Sequence, residues 1–404
     1  MARALLILPT DTYRAADFVA AAEALGIELS VASEEEAPLG AEDRFVRIDC
    51  RHPEVAAEAI ADLAATTPID AIVPVDDAGV VIAALAAEHL GLPHSPPDAA
   101  AATRNKAMMR RRLEQGEVPQ PSFALVGAQD DPAAICRTLG YPVVIKPLSL
   151  SASRGVIRVD DDHGARQASE RVRRILAVAG RNPDEPLLAE RFMPGPEVSV
   201  EGLLSNGTLE VLAVFDKPDP LDGPFFEETI FVTPSRLHPE VLDEVAAVSQ
   251  RATRAIGLRE GAVHVELRVT RGEVRVVEVA ARSIGGLCGR SLHFGLLDTP
   301  LEVLVLRNAL GMRKPGLRRS PGASGVMMLP IPATGTLQAV HGADEARAVP
   351  GIVELDLSIP VGRPVVALPE GDRYLGFLFA RAGDPTAVEA ALRTAHGLLR
   401  FDIT

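Results

Sequence analysis

Cysteine is scarce: Cys50, Cys136 and Cys288 are scattered over 404 positions. An odd, widely spaced set argues against a disulfide framework and suits a reducing compartment, so the expected location is the cytoplasm. No apolar stretch approaches the length needed to span a bilayer. The opening Met-Ala-Arg-Ala-Leu-Leu-Ile-Leu-Pro reaches Asp11 too soon for a signal peptide and reads as a first buried strand. Positive charge is in deficit as well. The formal net charge of -14 offers no basic patch to nucleic acid or to an anionic membrane. The first turn lacks Gly-x-Gly-x-x-Gly, which disfavours a Rossmann dehydrogenase, and the chain has no Gly-Lys-Ser/Thr of a Walker loop. Internal repeats and low-complexity segments are missing too.

What remains is an ordinary globular composition, 47% hydrophobic and 24% charged, long enough for roughly two to four compact units. Residues 3 to 9, a polar turn, a helical pattern over 14 to 26 and a strand from Ile27 to Val31 begin a strand–helix alternation. It returns at Ala71-Ile72-Val73-Pro74, with a helix near 80 to 90. Such alternation predicts a parallel sheet with helices on its faces, over residues 1 to 100. An Arg-rich helix is expected over 104 to 116, then a buried strand at Val143 to Pro147. A Ser-rich loop follows, and a further helix near 164 to 178. An antiparallel pair is expected around Asn206-Gly207. Residues 216 to 235 lack periodicity and read as a binding loop. A helix near 238 to 256, a linker at 313 to 322 and a last helix near 386 to 399 complete the pattern.

The most informative stretch is Val263 to Ala281. On the first strand Val263, Val265, Leu267 and Val269 face one way, and His264, Glu266 and Arg268 the other. A three-residue loop would set Glu266 opposite Glu278 on one face. A two-residue loop would invert the second strand. Opposed carboxylates repel in a hairpin, and a divalent cation converts that repulsion into coordination. Solvated glutamates on an exposed face are the plain alternative. Arg282 and Gly285-Gly286 follow, suited to holding a phosphoryl group and a second substrate, or else forming a simple turn. Lys146 ends its strand just before Ser149, Ser151, Ser153 and Gly155. A lysine charge, hydroxyls and small residues suit nucleotide phosphates, though a polar turn has the same look. Lys106 alone reads as a solvated helix lysine.

Five ordered elements together resemble the ATP-grasp superfamily. They are Arg-Asn-Lys-Ala-Met-Met-Arg at 104 to 110, Tyr-Pro-Val-Val-Ile-Lys-Pro at 141 to 147, Ser-Ala-Ser-Arg-Gly-Val at 151 to 156, Glu-Arg-Phe-Met-Pro-Gly-Pro-Glu-Val-Ser-Val-Glu at 190 to 201, and His-Val-Glu-Leu with Glu-Val-Ala-Ala-Arg-Ser-Ile-Gly-Gly at 264 to 286. The resemblance covers nearly the whole chain, and within the superfamily it is nearest to the L-amino acid ligases. It implies an α/β and α+β multidomain fold. An N-terminal parallel unit (1–100) would precede the ATP-grasp domain (101–312, with about 122–193 as the smaller nucleotide-covering lobe) and a C-terminal closing subdomain (313–404).

The resemblance implies ATP and magnesium, with manganese an alternative, and small carboxylate and amine substrates. Lys106 and Lys146 would bind the phosphates, with the loop carrying Ser151, Ser153 and Gly155 folded over them. Glu190 and Phe192 would meet adenine through the backbone, and Glu197 the ribose. Glu266 and Glu278 would hold the metal, and Arg282 would steady an acyl phosphate. Gly285 and Gly286 would line the amino-acid site, and Lys217 and Glu228 would lie on a loop over the substrates. His264 and His293 are candidate bases, each with a structural role as competitor. Ala280 departs from the many superfamily members that carry an asparagine there as a further ligand, which leaves the metal count open. The implied reaction is amide formation through an acyl phosphate, releasing ADP and phosphate. Rivals are a biotin-carboxylase-like or purine-pathway ligase and a non-catalytic nucleotide binder; retention of Lys146, Glu266, Glu278 and Arg282 together speaks against the last. The oligomeric state stays open, a homodimer included.

Overall fold

The computed structural model describes residues 1–10, 12, 14–37, 40, 43–295, 297–312 and 320–404. All but the last three residues of the expected 313 to 322 linker lie outside these. Strands β1 (Arg3–Leu8), β2 (Glu28–Ser33), β3 (Phe45–Arg47) and β4 (Ala71–Pro74) form a parallel sheet ordered β3-β2-β1-β4. Ala4, Leu5, Leu6 and Ile7 of β1 are all fully buried, as a strand covered on both faces requires. Leu5 and Ile7 join one core with α2 (Pro53–Thr66) and α3 (Val80–His89). Ala4 and Leu6 pack on the other side with Phe18 of α1 (Ala15–Leu25).

The Arg-rich helix expected over 104 to 116 is α5 (Lys106–Gln115), and a further helix, α4 (Pro97–Arg104), precedes it. Asn105 separates the two: its backbone is extended, and its side-chain oxygen accepts from the amides of Ala107 and Met108, both at 3.1 Å. A small lobe follows. It contains β5 (Phe123–Val126), α6 (Pro132–Leu139), β6 (Val143–Pro147), β7 (Ile157–Val159), α7 (Asp162–Val178) and β8 (Leu187–Arg191), its antiparallel sheet ordered β5-β8-β6-β7.

The remainder is built on an eight-stranded antiparallel sheet. Its first members are β9 (Glu197–Ser205), β10 (Thr208–Lys217) and β11 (Ile230–Thr233). After α8 (Pro239–Ile256) come β12 (Gly261–Thr270) and β13 (Glu273–Ala280), then α9 (Arg290–Gly295) and α10 (Leu301–Ala309). The C-terminal stretch contributes β14 (Ala323–Leu329), β15 (Gly335–His341), α11 (Ala343–Arg347), β16 (Ile352–Leu357), β17 (Pro364–Val365), β18 (Gly376–Ala382), α12 (Pro385–Leu398) and β19 (Arg400–Ile403). The strand order β13-β12-β9-β10-β11-β14-β18-β16 runs across residue 313 without a seam, because β11 pairs antiparallel with β14. No described helix is long and apolar enough to cross a membrane.

Candidate active site

The β12–β13 hairpin turns on Arg271 (φ 52) and Gly272 (φ 85), the positive pair of a tight two-residue loop. Left regular, that loop would put Glu278 on the core face. Instead the register slips after Leu267↔Val276, and Glu266 pairs with Glu278. Val277 is the extra residue of a β-bulge. The alternative left open by sequence is thus resolved by neither simple hairpin: the loop has two residues, and a bulge restores the facing carboxylates. Arg110, fully buried on α5, donates to the carbonyls freed there, Val276 at 3.2 Å and Val277 at 2.7 Å. Val263, Val265 and Leu267 enter the core behind, as their alternation predicts.

Glu266 and Glu278 both line a cavity of about 650 Å³ between the small lobe, the large sheet and the N-terminal unit. Lys106, Lys146, Ser151, Ser153, Glu190, Phe192 and Glu197 line it as well. So do Glu228, His264, Arg282, Gly285 and Gly286. Lys106 is buried rather than solvated, its ammonium 2.8 Å from the Leu150 carbonyl and 3.2 Å from Glu278. Lys146 lies 2.6 Å from Glu190, which also accepts from Arg110 Nε at 2.5 Å. Burial alone would raise the Glu190 carboxyl; the Arg110 and Lys146 charges outweigh it and hold it at about 2.

Two expected residues sit elsewhere. Gly155 does not line the cavity; its left-handed backbone (φ 73) closes the serine loop from behind, and its amide donates to the Pro369 carbonyl at 2.9 Å. Lys217, expected on the loop over the substrates, is the last residue of β10 and only 5% exposed. Its ammonium lies 2.8 Å from Glu197 and 3.3 Å from Glu266 and also binds Glu228. The antiparallel pairing of β10 with β9 continues to Lys217↔Glu197, so the loop begins after it. These three carboxylates lie close enough to hold a metal ion, but Lys217 is already their common partner. Burial and the Glu266 charge push Glu228 up to about 7. Glu197 also accepts from Arg268 Nε at 2.8 Å.

Glu266 and Glu278 offer hard carboxylate oxygens from paired strands into the cavity, a donor set that fits a magnesium-sized cation. Arg282 reaches Asp77 of the N-terminal unit at 3.1 Å, while its buried Nε has no hydrogen-bond partner. Asp77 also binds Arg104 at 3.1 Å. His264 lies 3.2 Å from buried Glu201 and 3.6 Å from Glu266. Burial opposes its charge, but the two carboxylates win and raise it. Cys288 also lines the cavity, and burial pushes its thiol far up. Sequence reasoning gave no role to Arg110, Arg268, Glu201 or Asp77. Arg110 stood inside a quoted motif, but an arginine on an Arg-rich helix looks solvated until Glu190 is brought to it.

Residues 139–291 match the ATP-grasp domain, 19–94 the ATP-grasp N-terminal domain, and 327–404 the L-amino acid ligase C-terminal domain 2. An L-amino acid ligase structure from Bacillus licheniformis superposes with a TM-score of 0.85 at 26% identity, covering 100% of this chain and 99% of that one. The alanine–anticapsin ligase of Bacillus subtilis (strain 168) is 27% identical over 249 residues, 57% of this chain and 52% of that protein. A D-alanine–D-alanine ligase of Cupriavidus pinatubonensis is 28% identical over 180 residues, 43% of this chain and 53% of that protein. The chain thus spans about half the length of these two curated relatives. At 17% identity, a carboxyaminoimidazole ribonucleotide synthase complexed with ATP (TM-score 0.75, 98% of each chain) shares the fold alone.

Proposed function

Because this chain belongs to the ATP-grasp superfamily, we propose that it is an ATP-dependent carboxylate–amine ligase. It joins amino acids or amino-acid-like substrates through an acyl phosphate, with release of ADP and phosphate. The observation that carries this is the bulged pairing of Glu266 with Glu278 on a cavity wall shared with Lys106 and Lys146. Its likeness over full length to an L-amino acid ligase, and the amino-acid substrates named in its relatives, support the substrate class.

In the first step a substrate carboxylate oxygen attacks the γ-phosphorus of ATP and the bond to ADP breaks. In the second an amine nitrogen attacks the acyl carbon and phosphate leaves. Lys106 and Lys146 bind and orient the nucleotide phosphates, and Ser151 and Ser153 add hydroxyl donors above them. Phe192 packs at the adenine end, and Glu197 faces the ribose. Glu266 and Glu278 would hold the divalent cation, magnesium or manganese, which neutralises phosphate charge when bound. Arg282, with an unused Nε and an Asp77 anchor, holds the acyl phosphate. Positioning and charge neutralisation dominate such transfers. The enclosing small lobe and loops keep water from an intermediate that hydrolyses.

The test is a screen of amino acids, singly and in pairs, and of bicarbonate, for ADP and phosphate, with mass analysis of products. A dipeptide or amide made with one ADP and one phosphate is expected. AMP and pyrophosphate would overturn acyl phosphate chemistry, and turnover with bicarbonate alone would move the chain to the carboxylase branch.

A further inference from the structure

The segment from Arg282 to Arg290 forms one wall of the cavity. Its centre touches the large sheet: the Ile284 amide donates to Glu201 Oε2 at 3.0 Å, and a Cβ on left-handed Gly286 (φ 58) would come within 2.7 Å of the Phe377 ring. A Cβ on Gly285 would meet nothing within 4 Å, and adjacent glycines have many accessible conformations unless their neighbours are fixed. Both flanks of the pair are gripped from the start of α1, more than 260 residues away in sequence.

Arg14, directly before α1, is 2% exposed. It donates to Ser283 Oγ at 2.6 Å, to the Ile284 carbonyl at 3.3 Å and to Glu302 Oε1 of α10 at 2.7 Å. One turn on, Asp17 takes a two-pronged bond from Arg290, Nε and Nη2 both at 2.9 Å. Arg290 also reaches Glu354 of β16 at 2.9 Å. Planar bidentate pairs fix orientation as well as distance.

We infer that Arg14 and Asp17 are positioning residues of the active site: the N-terminal unit sets the conformation of Arg282 to Gly286 by holding the segment at both ends. This rests on the ligase reading for its kinetic consequence. A purely cohesive role would not require the partners to flank the two glycines, and would leave coupling untouched. If the wall loosens, water reaches the acyl phosphate, which then returns carboxylate and phosphate without amide.

The experiment compares Arg14→Met, Arg14→Lys and Asp17→Asn with wild type. Asp17 is partly exposed, so its variant is expected to fold. Arg14→Met and Asp17→Asn should lower kcat about 10- to 100-fold, as small misplacements of reacting groups do. KM for ATP should stay within about twofold, since neither Arg14 nor Asp17 touches a residue assigned to the nucleotide. Amide formed per phosphate should fall below one, and Arg14→Lys should recover part of it. Amides in 282 to 290 should exchange hydrogen at least about tenfold faster in Asp17→Asn, with β12 unchanged. Wild-type kcat and coupling in both Met and Asn variants, or losses that track only the folded fraction, would overturn the inference. Should wild type turn over no amino acid, the ligase reading fails instead, and exchange alone decides the positioning role.

Discussion

Single side chains in the cavity are tied to opposite charges, and the consequences differ residue by residue. Glu278 is only partly buried and pairs with Lys106 at 3.2 Å. Glu278→Gln is therefore expected to fold normally and to lower kcat by on the order of 10³, the cost of losing one preorganised charge partner in the transition state. Circular dichroism and steady-state kinetics check this; unchanged turnover would remove Glu278 from the metal site. Glu190 makes a prediction of another kind. Its carboxyl is held down at about 2 by Arg110 and Lys146 against its burial. A depressed carboxyl stabilises the fold fully above its unfolded pKa near 4.5, and that contribution drains away as pH falls toward 2. Glu190→Gln leaves two cations short of a partner and should melt lower at neutral pH. Its melting temperature should also fall less steeply than that of wild type between about pH 4.5 and 2, measured by differential scanning fluorimetry.

At the scale of elements, helix caps and one bulge decide where charged groups point. Asn105 ends α4 and starts α5, so that Lys106 opens the new helix at the edge of the cavity. Asn105→Ala should cost about 1 kcal/mol in urea unfolding and raise KM for ATP several-fold, because a fraying first turn releases Lys106. Strand alternation at Val263 to Val269, the strand at Val143 to Pro147 and the long helices α7, α8 and α12 were legible in sequence, while α9, α10 and α11 were not. The periods of the legible elements are local, and local packing enforces them. The short helix α4 before Asn105 was not read from the sequence. The Val277 bulge was not legible, because a period-2 reading has no symbol for an unpaired residue. Lys217 was misplaced for a related reason, as the proline-rich stretch after it looked like one continuous loop. Arg14 and Asp17 gave no signal, because each finds its partner more than 200 residues away, and so does Asp77 in Arg282.

At the scale of the whole molecule, the small lobe is fastened to the C-terminal stretch. Arg171 forks onto Glu370 at 2.7 and 3.0 Å, and Arg154 meets Asp372 at 3.1 Å. The Gly155 amide donates to the Pro369 carbonyl at 2.9 Å. Both ion pairs are partly exposed, so each contributes modestly and salt screens it. Glu370→Gln should weaken ATP binding about threefold at low ionic strength, and the difference from wild type should vanish near about 1 M salt, read by calorimetric titration with a non-hydrolysable ATP analogue. The eight-stranded sheet pairs strands from both sides of the boundary expected near residue 313.

That shared sheet bears on any attempt to exchange parts. Strand β11 has Ile230, Phe231, Val232 and Thr233 all buried, with β14 hydrogen-bonded along its outer side. A chain cut short before Ala323 would bare a row of unpaired amides and carbonyls on an apolar edge, a template for sticking to its neighbours. Grafting the last stretch of a relative onto this core therefore demands a matching β14, not merely a compatible joint, and truncated forms should precipitate rather than persist as lighter enzymes.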